Sequence, residues 1–228
     1  MIELIIFDLD GVLVRAKEMH FNALNEALES VDPKFSISYS EHLNIYDGLK
    51  TKDKLNILTE KKGLPKSEHE NVWLKKQNIT AQKINEIEKD SNLVQLFEFL
   101  SNHKLKIACC SNSIRSSLEG VLQKLGLIDF FDYILSNEDV CKSKPHPEMY
   151  WQTMIKFGKL SEQTLIVEDS PHGLLAAQRS GANILRVKDP SDLTVQKVKS
   201  KLNIKKQLMN TRWQDNNLNV FSDNFPNF

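Results

Sequence analysis

Residues able to carry chemistry stand at four points in the chain, and the first is Asp8-Leu9-Asp10-Gly11. Two carboxylates two positions apart can divide one reaction between them, one attacking as a nucleophile and the other moving protons. The other three points are Ser111-Asn112, Lys144 and Glu168-Asp169. Together they offer two clusters of carboxylates, a hydroxyl with backbone N–H groups, and one ammonium. That set suits phosphoryl transfer with a hard cation. Asp8 is the expected nucleophile on phosphorus, and Mg²⁺ held by oxygen ligands from Asp8 and Asp169 would keep both ionised and draw charge from the phosphoryl oxygens. Asp10 is the expected acid/base, donating a proton to the leaving oxygen and later taking one from water. Ser111, the N–H of Asn112 and Lys144 are expected to hold the remaining phosphate oxygens, where positioning and charge stabilisation supply most of the rate.

For residues so distant in sequence to meet, the fold must bring several strand ends together. Five of the six residues at 2–7 are apolar and the run stops at Asp8, the pattern of a buried strand in a parallel sheet. Residues 104–110 and 164–167 read as two more strands, ending at Ser111 and Glu168, and 133–135 and 183–187 as shorter ones. Helical patterns fall between them. One begins at Asp90-Ser91-Asn92, one covers 114–125 with Ser113 as its expected cap, one covers 147–157 with Pro147 at its first position, and one runs from Ser170-Pro171 to Gly181. His146 and His172, each beside a proline at a helix start, are expected to cap. Strands alternating with helices predict an α/β fold, a Rossmann-like doubly wound parallel sheet whose carboxyl edge gathers the four points.

Residues 15–89 contain no convincing strand. Phe21, Leu24, Leu28 and Val31 recur at helical spacing, Ser38 with Glu41 and Ser67 with Glu70 form capping-box patterns, and helices are expected over 52–62 and 72–88. The expected organisation is a core of residues 1–14 and 90–190, an inserted all-α helical-bundle cap of residues 15–89, and a C-terminal helix and tail at 191–228. The tail is rich in asparagine but carries Trp213, Phe221, Phe225 and Phe228. The cap should close over the substrate about hinges near 14–16 and 88–92. His20 beside the first hinge, and Lys50 and Lys52 within the cap, are candidates for substrate contact, although a solvated helix face is the plainer reading of the two lysines.

Composition bounds the partners. The chain has 228 residues, with 30 basic and 30 acidic side chains cancelling to zero and no long basic block, which excludes the footprint of a nucleic-acid binder. Nowhere do about 18 consecutive apolar residues occur, and the N-terminal run lacks a signal peptide's basic leader. Three cysteines, Cys109 and Cys110 adjacent in an apolar run and Cys141 alone, fit neither a disulfide framework nor zinc spacing. The expectation is a cytoplasmic protein with reduced thiols, acting on a small phosphorylated metabolite and bound neither to nucleic acid nor to membrane.

At these residues the chain resembles the haloacid dehalogenase superfamily. Asp8-Leu9-Asp10-Gly11-Val12-Leu13, Ser111-Asn112, Lys144-Pro145 and Glu168-Asp169-Ser170 look like its four signatures in order, and Glu168-Asp169-Ser170-Pro171-His172-Gly173 is similar to the subgroup of β-phosphoglucomutase and sugar-phosphate phosphatases. The resemblance implies an aspartyl-phosphate on Asp8, acid/base work by Asp10, and Mg²⁺ bound by Asp8, the backbone carbonyl of Asp10 and Asp169, with Glu168 near the metal. A phosphatase is the main reading. A phosphosugar mutase and a non-catalytic binding protein of the same fold are the alternatives. Two departures stand out: Val14-Arg15-Ala16 replaces the usual acidic or hydroxyl residue at the entrance, and Gly48-Leu49-Lys50-Thr51-Lys52 offers lysines where the mutases are similar in having an arginine.

Overall fold

The computed structural model describes residues 1–202. Its centre is a five-stranded, all-parallel sheet of β1 (Leu4–Phe7), β2 (Lys106–Cys110), β3 (Tyr133–Leu135), β4 (Thr164–Glu168) and β5 (Asn183–Arg186), in the order β3-β2-β1-β4-β5. Strand β1 is central. The four residues of β1 are fully buried, because alternate side chains feed two different cores. Ile5 and Phe7 join Ile107, Cys109, Leu165 and Val167 on one face, while Leu4 and Ile6 join Ala108, Cys110 and Ile166 on the other. Each Leu, Ile, Val or Phe among them contributes roughly 1.5–3 kcal/mol on burial.

Five helices cover the sheet and its edge: α4 (Ser91–Asn102), α5 (Arg115–Lys124), α6 (Glu148–Phe157), α7 (Pro171–Ser180) and, at the end of the described residues, α8 (Val195–Leu202). Before them, between β1 and α4, lie α1 (Lys17–Glu29), α2 (Thr51–Lys62) and α3 (His69–Ile84), with short helical turns over Tyr39–Tyr46. These pack around a third apolar cluster of Leu24, Leu28, Phe35, Tyr46, Leu55, Leu58 and Val72. Among the described residues no helix is long and apolar enough to cross a membrane.

Several local expectations shift. The strand expected from 104 begins at Lys106, because Lys104 has a positive φ of 54° and still belongs to the turn that closes α4. The helix expected over 72–88 is wound earlier, at His69–Ile84, and Pro147 precedes α6 as its cap. Ser38 and Glu41 do form a capping box, at 3.1 and 2.7 Å. Ser67 and Glu70 do not, since a short turn at Lys66–Glu68 follows Pro65 and moves the helix start past Ser67. The helix expected over 195–208 is seen to Leu202; its remainder and the aromatic tail lie outside the described residues.

Candidate active site

Register alone places the carboxylates together. Phe7 on β1 is level with Cys109 on β2 and with Val167 on β4, so Asp8, Ser111 and Glu168-Asp169 emerge side by side at the carboxyl edge. Two glycines make room for them. Gly11 has φ +92°, and a Cβ there would lie 2.1 Å from Asp169 Oδ2; a Cβ on Gly173 would lie 1.7 Å from Glu168 Oε1.

Lys144 arrives from the loop before α6 and is buried between two carboxylates, donating to Asp8 Oδ1 at 2.6 Å and to Glu168 Oε1 at 2.7 Å. Burial opposes its charge, but Asp8 and Glu168 outweigh that and raise the ammonium well above its usual value, so it stays charged. Glu168 is saturated. Its Oε1 also accepts from the Tyr150 hydroxyl at 3.0 Å, and its Oε2 from the backbone N–H groups of Asp169 and Ser170 at 2.9 and 3.2 Å. A carboxylate with both oxygens so occupied seats Lys144.

Asp8 and Asp169 are in the opposite condition. Burial, with the charges of Glu168, Asp169 and Asp10 added, pushes Asp8 well above the ordinary carboxylate range despite Lys144. Asp169 is raised to about 6 by burial. Its buried Oδ1 has no hydrogen-bond partner, and Oδ2 has only an ion pair, at 2.8 Å, with the Lys17 ammonium of α1. Oxygens of Asp8, Glu168 and Asp169 all lie within 4.8 Å of one another. Crowded anionic oxygens, those of Asp169 without a hydrogen-bond partner, are the donor set of a hard divalent cation.

Asp10 points elsewhere. Its Oδ2 accepts from the Ser113 hydroxyl at 2.7 Å and its Oδ1 pairs with His20 Nε2 at 3.2 Å. Burial alone would raise Asp10, but His20, Ser113 and the charge of Lys76 hold it at about 2. Burial and Lys76 lower His20, which keeps the imidazole neutral near neutral pH; Nδ1 lies 3.4 Å from Lys76 Nζ, so the tautomer consistent with both contacts donates from Nε2 to Asp10. Ser113, expected as a helix cap, is therefore turned into the site, while α5 starts without a side-chain cap.

The helical insertion touches this edge. Asn112 reaches it through its side chain, donating to Gly48 O at 2.7 Å and to Lys144 O at 3.0 Å. His172 bonds Asp47 O at 3.0 Å through Nδ1, so it ties the insertion to the core rather than capping α7, which Ser170 caps. His146 does accept from Glu148 N, at 3.3 Å. Arg15 is exposed and pairs with Asp189 at the surface. The cavity between insertion and core, about 290 Å³, is lined by Asp8, Asp10, Ser111, Asn112 and Lys144 on the core side, and by His20, Lys50, Lys52, Lys54 and Lys76 on the other.

A family model described as haloacid dehalogenase-like hydrolase matches residues 5–187. The chain belongs to that family. Among its relatives, a protein named pyrophosphatase PpaX from Oceanobacillus iheyensis is 26% identical over 194 residues, covering 82% of this chain and 83% of its own length. A phosphorylated carbohydrates phosphatase from Thermotoga maritima is 27% identical over 181 residues, covering 78% and 82%. The solved structure of β-phosphoglucomutase from Clostridium difficile superposes with a TM-score of 0.79 over 91% of this chain and 100% of that one, at 22% identity, a likeness of fold.

Tyr150, Lys17, Lys54 and Lys76 were not singled out by sequence reasoning. Lys54 and Lys76 had a signal. Thr51, Lys54, Leu55 and Leu58 make one buried face of α2, and Val72, Lys76, Ile79 and Thr80 one buried face of α3, so each lysine occupies a position where the helical period calls for an apolar residue.

Proposed function

We propose that this protein is a Mg²⁺-dependent phosphatase that hydrolyses a small phosphorylated metabolite through an aspartyl-phosphate on Asp8. The observation that carries the reading is the division between the two aspartates: Asp8 is held by Lys144 beside Asp169, while Asp10 two residues on is turned to His20 and Ser113. One carboxylate is aimed at an anion-binding floor and the other at a proton-handling network. Relatives named as phosphatases support the same reading.

In the first half-reaction an Asp8 carboxylate oxygen attacks phosphorus, the bond to the substrate oxygen breaks, and that oxygen takes a proton from Asp10. In the second, Asp10 takes a proton from water, the water oxygen attacks phosphorus, and the bond to Asp8 breaks to release phosphate. Asp10 is ionised in the free site. It carries the proton needed for the first step once the phosphoryl group's negative charge lies beside it. Lys144 and Ser111 hold phosphoryl oxygens; the Ser111 Oγ accepts from Ser113 N at 3.0 Å, which leaves its hydrogen to donate. Asp8, Asp169 and the carbonyl of Asp10 would hold Mg²⁺, whose role when bound is to neutralise charge on the phosphoryl oxygens. Glu168 keeps Lys144 in place. His20 orients Asp10.

The test is phosphate release from a panel of sugar phosphates, nucleoside monophosphates and small phosphorylated acids, with Mg²⁺ or a chelator, for wild type and Asp8→Asn. Release that requires both Mg²⁺ and Asp8 is expected. Release that survives in Asp8→Asn, or transfer of the phosphoryl group to another hydroxyl of the substrate with none set free, would overturn it.

A further inference from the structure

Asp169 differs from the other acids of the site in what it faces. The cavity beside Asp8 is lined by Asp8, Asp10 and Asp47 but not by Asp169. Asp169 instead lines a second cleft, together with Lys17, Leu43, Asp47, Arg186 and Lys188, and among the described residues Asp47 is the one that borders both. The acidic cluster of Asp8, Glu168 and Asp169, with oxygens within 4.8 Å of one another, therefore meets two openings, Asp8 at the cavity and Asp169 at the cleft.

Lys17 stands at the second opening. It lies in the first turn of α1, and its side chain is 30% exposed where the Asp169 carboxylate it covers is 1% exposed. Among the described residues its ammonium is the one group paired with the Asp169 oxygens. From the same position Nζ lies 2.8 Å from Asp169 Oδ2 and 3.3 Å from Asp47 Oδ2. Asp47 belongs to the helical insertion, as Lys17 does, so the flexible lysine stem can carry its charge off Asp169 and keep a carboxylate partner. The cavity is the harder way in for a cation. Lys54 and Lys76 line it, buried and without a carboxylate partner among the described residues, and Lys144 is bound to Asp8 itself. In the cleft Lys17 and Lys197 are paired with acids, and Arg186 and Lys188 are exposed. Buried charges repel an incoming ion with little screening, whereas exposed ones are damped beyond about 8–10 Å in ordinary salt.

We infer that the divalent cation reaches Asp169 through this cleft, separately from the substrate, and that Lys17 is its gate, moving from Asp169 onto Asp47 as the cation enters. This rests on the Mg²⁺ dependence in the phosphatase reading and adds to it a route and a gating residue. Cation and phosphoester then arrive at the acidic cluster through different openings, and either can exchange without the other leaving first.

The rate of Mn²⁺ uptake tests this, read by stopped-flow competition with a fluorescent indicator and with no substrate present. Lys17→Met removes the charge of the gate and should take up Mn²⁺ up to about 10-fold faster than wild type, while Lys17→Arg, which keeps the charge, should stay close to wild type. Charge placement separates the two routes. Lys188 and Lys52 are both exposed, one on the cleft and the other on the cavity. Lys188→Glu should speed uptake by about threefold or more at low ionic strength and lose most of that gain in about 0.5 M salt, whereas Lys52→Glu should change it by less than about twofold. Uptake no faster in Lys17→Met than in wild type, or accelerated as much by Lys52→Glu as by Lys188→Glu, overturns the inference and leaves the phosphatase reading standing. If wild type takes up no Mn²⁺ at all, the metal dependence of that reading has failed, and the gate fails with it.

Discussion

Replacing Lys76 by methionine should stabilise the protein, by an amount that shrinks as pH rises. In the folded chain burial and Lys54 bring the Lys76 ammonium from 10.5 to about 7, whereas the unfolded chain restores the ordinary value. Because the folded value is the lower one, the unfolded state holds the extra proton between roughly pH 7 and 10.5, and wild-type stability rises with pH across that window. Below it the penalty is present in full. At about 1.4 kcal/mol for each tenfold loss of proton affinity, the ceiling is on the order of 4–5 kcal/mol, from which the lost contact to His20 subtracts about 1 kcal/mol. Methionine keeps the unbranched stem and leaves no charge to desolvate. The variant should exceed wild type by about 3–4 kcal/mol near pH 6 and by about 1 kcal/mol near pH 9, a difference of roughly 5–10 °C in the melting-temperature gap. Denaturant and thermal unfolding of both proteins in chelator across that pH range measure it. A variant less stable than wild type throughout, or a gap identical at both pH values, would refute the reasoning that Lys76 is a buried, poorly compensated charge.

Three other substitutions probe the core side of the site. Tyr150→Phe leaves Glu168 Oε1 without its hydroxyl donor and should cost about 1.5–3 kcal/mol in urea unfolding, since the bond is buried and its acceptor is ionised. Gly173→Ala puts a methyl 1.7 Å from Glu168 Oε1, so the carboxylate that seats Lys144 must move; phosphate release should fall at least about 100-fold and melting should drop with an overpacking cost of about 1–3 kcal/mol. Lys17→Met removes the ammonium paired with Asp169, and calorimetric titration should show Mg²⁺ binding up to about 10-fold more tightly; unchanged or weaker binding would mean that Lys17 does not compete for Asp169.

The sheet was legible because each core strand is an apolar run that ends in a polar residue, and in a parallel sheet such ends fall on one edge. That argument needs no side-chain detail, so it located Asp8, Ser111 and Glu168-Asp169. It could not assign what each side chain does there. Glu168 and Asp169 are adjacent acids in sequence, yet one has both oxygens occupied and the other has almost nothing, a difference made by Lys144, Tyr150 and the backbone turn into α7. Ser113 looked like a cap because serine before a helix usually is one, and the competing partner, Asp10, is 103 residues away in the chain. The helical insertion was harder for a related reason. Lysines in charged helices read as solvated, and Lys54 and Lys76 are distinguished by the face of the helix they occupy, which the weak amphipathicity of α2 and α3 obscures.

The most direct test of the central claim is to trap the phosphoenzyme. Asp10→Asn should still be phosphorylated by an aryl phosphate, whose leaving group needs no proton, and should then stall because nothing activates water. Acid quenching with a radiolabelled aryl phosphate and Mg²⁺, followed by peptide mapping, is expected to give a hydroxylamine-labile label on Asp8 that is missing from the Asp8→Asn, Asp10→Asn double variant. Turnover by wild type with no label on Asp8 under these conditions, or a label that persists when Asp8 is replaced, would contradict the account.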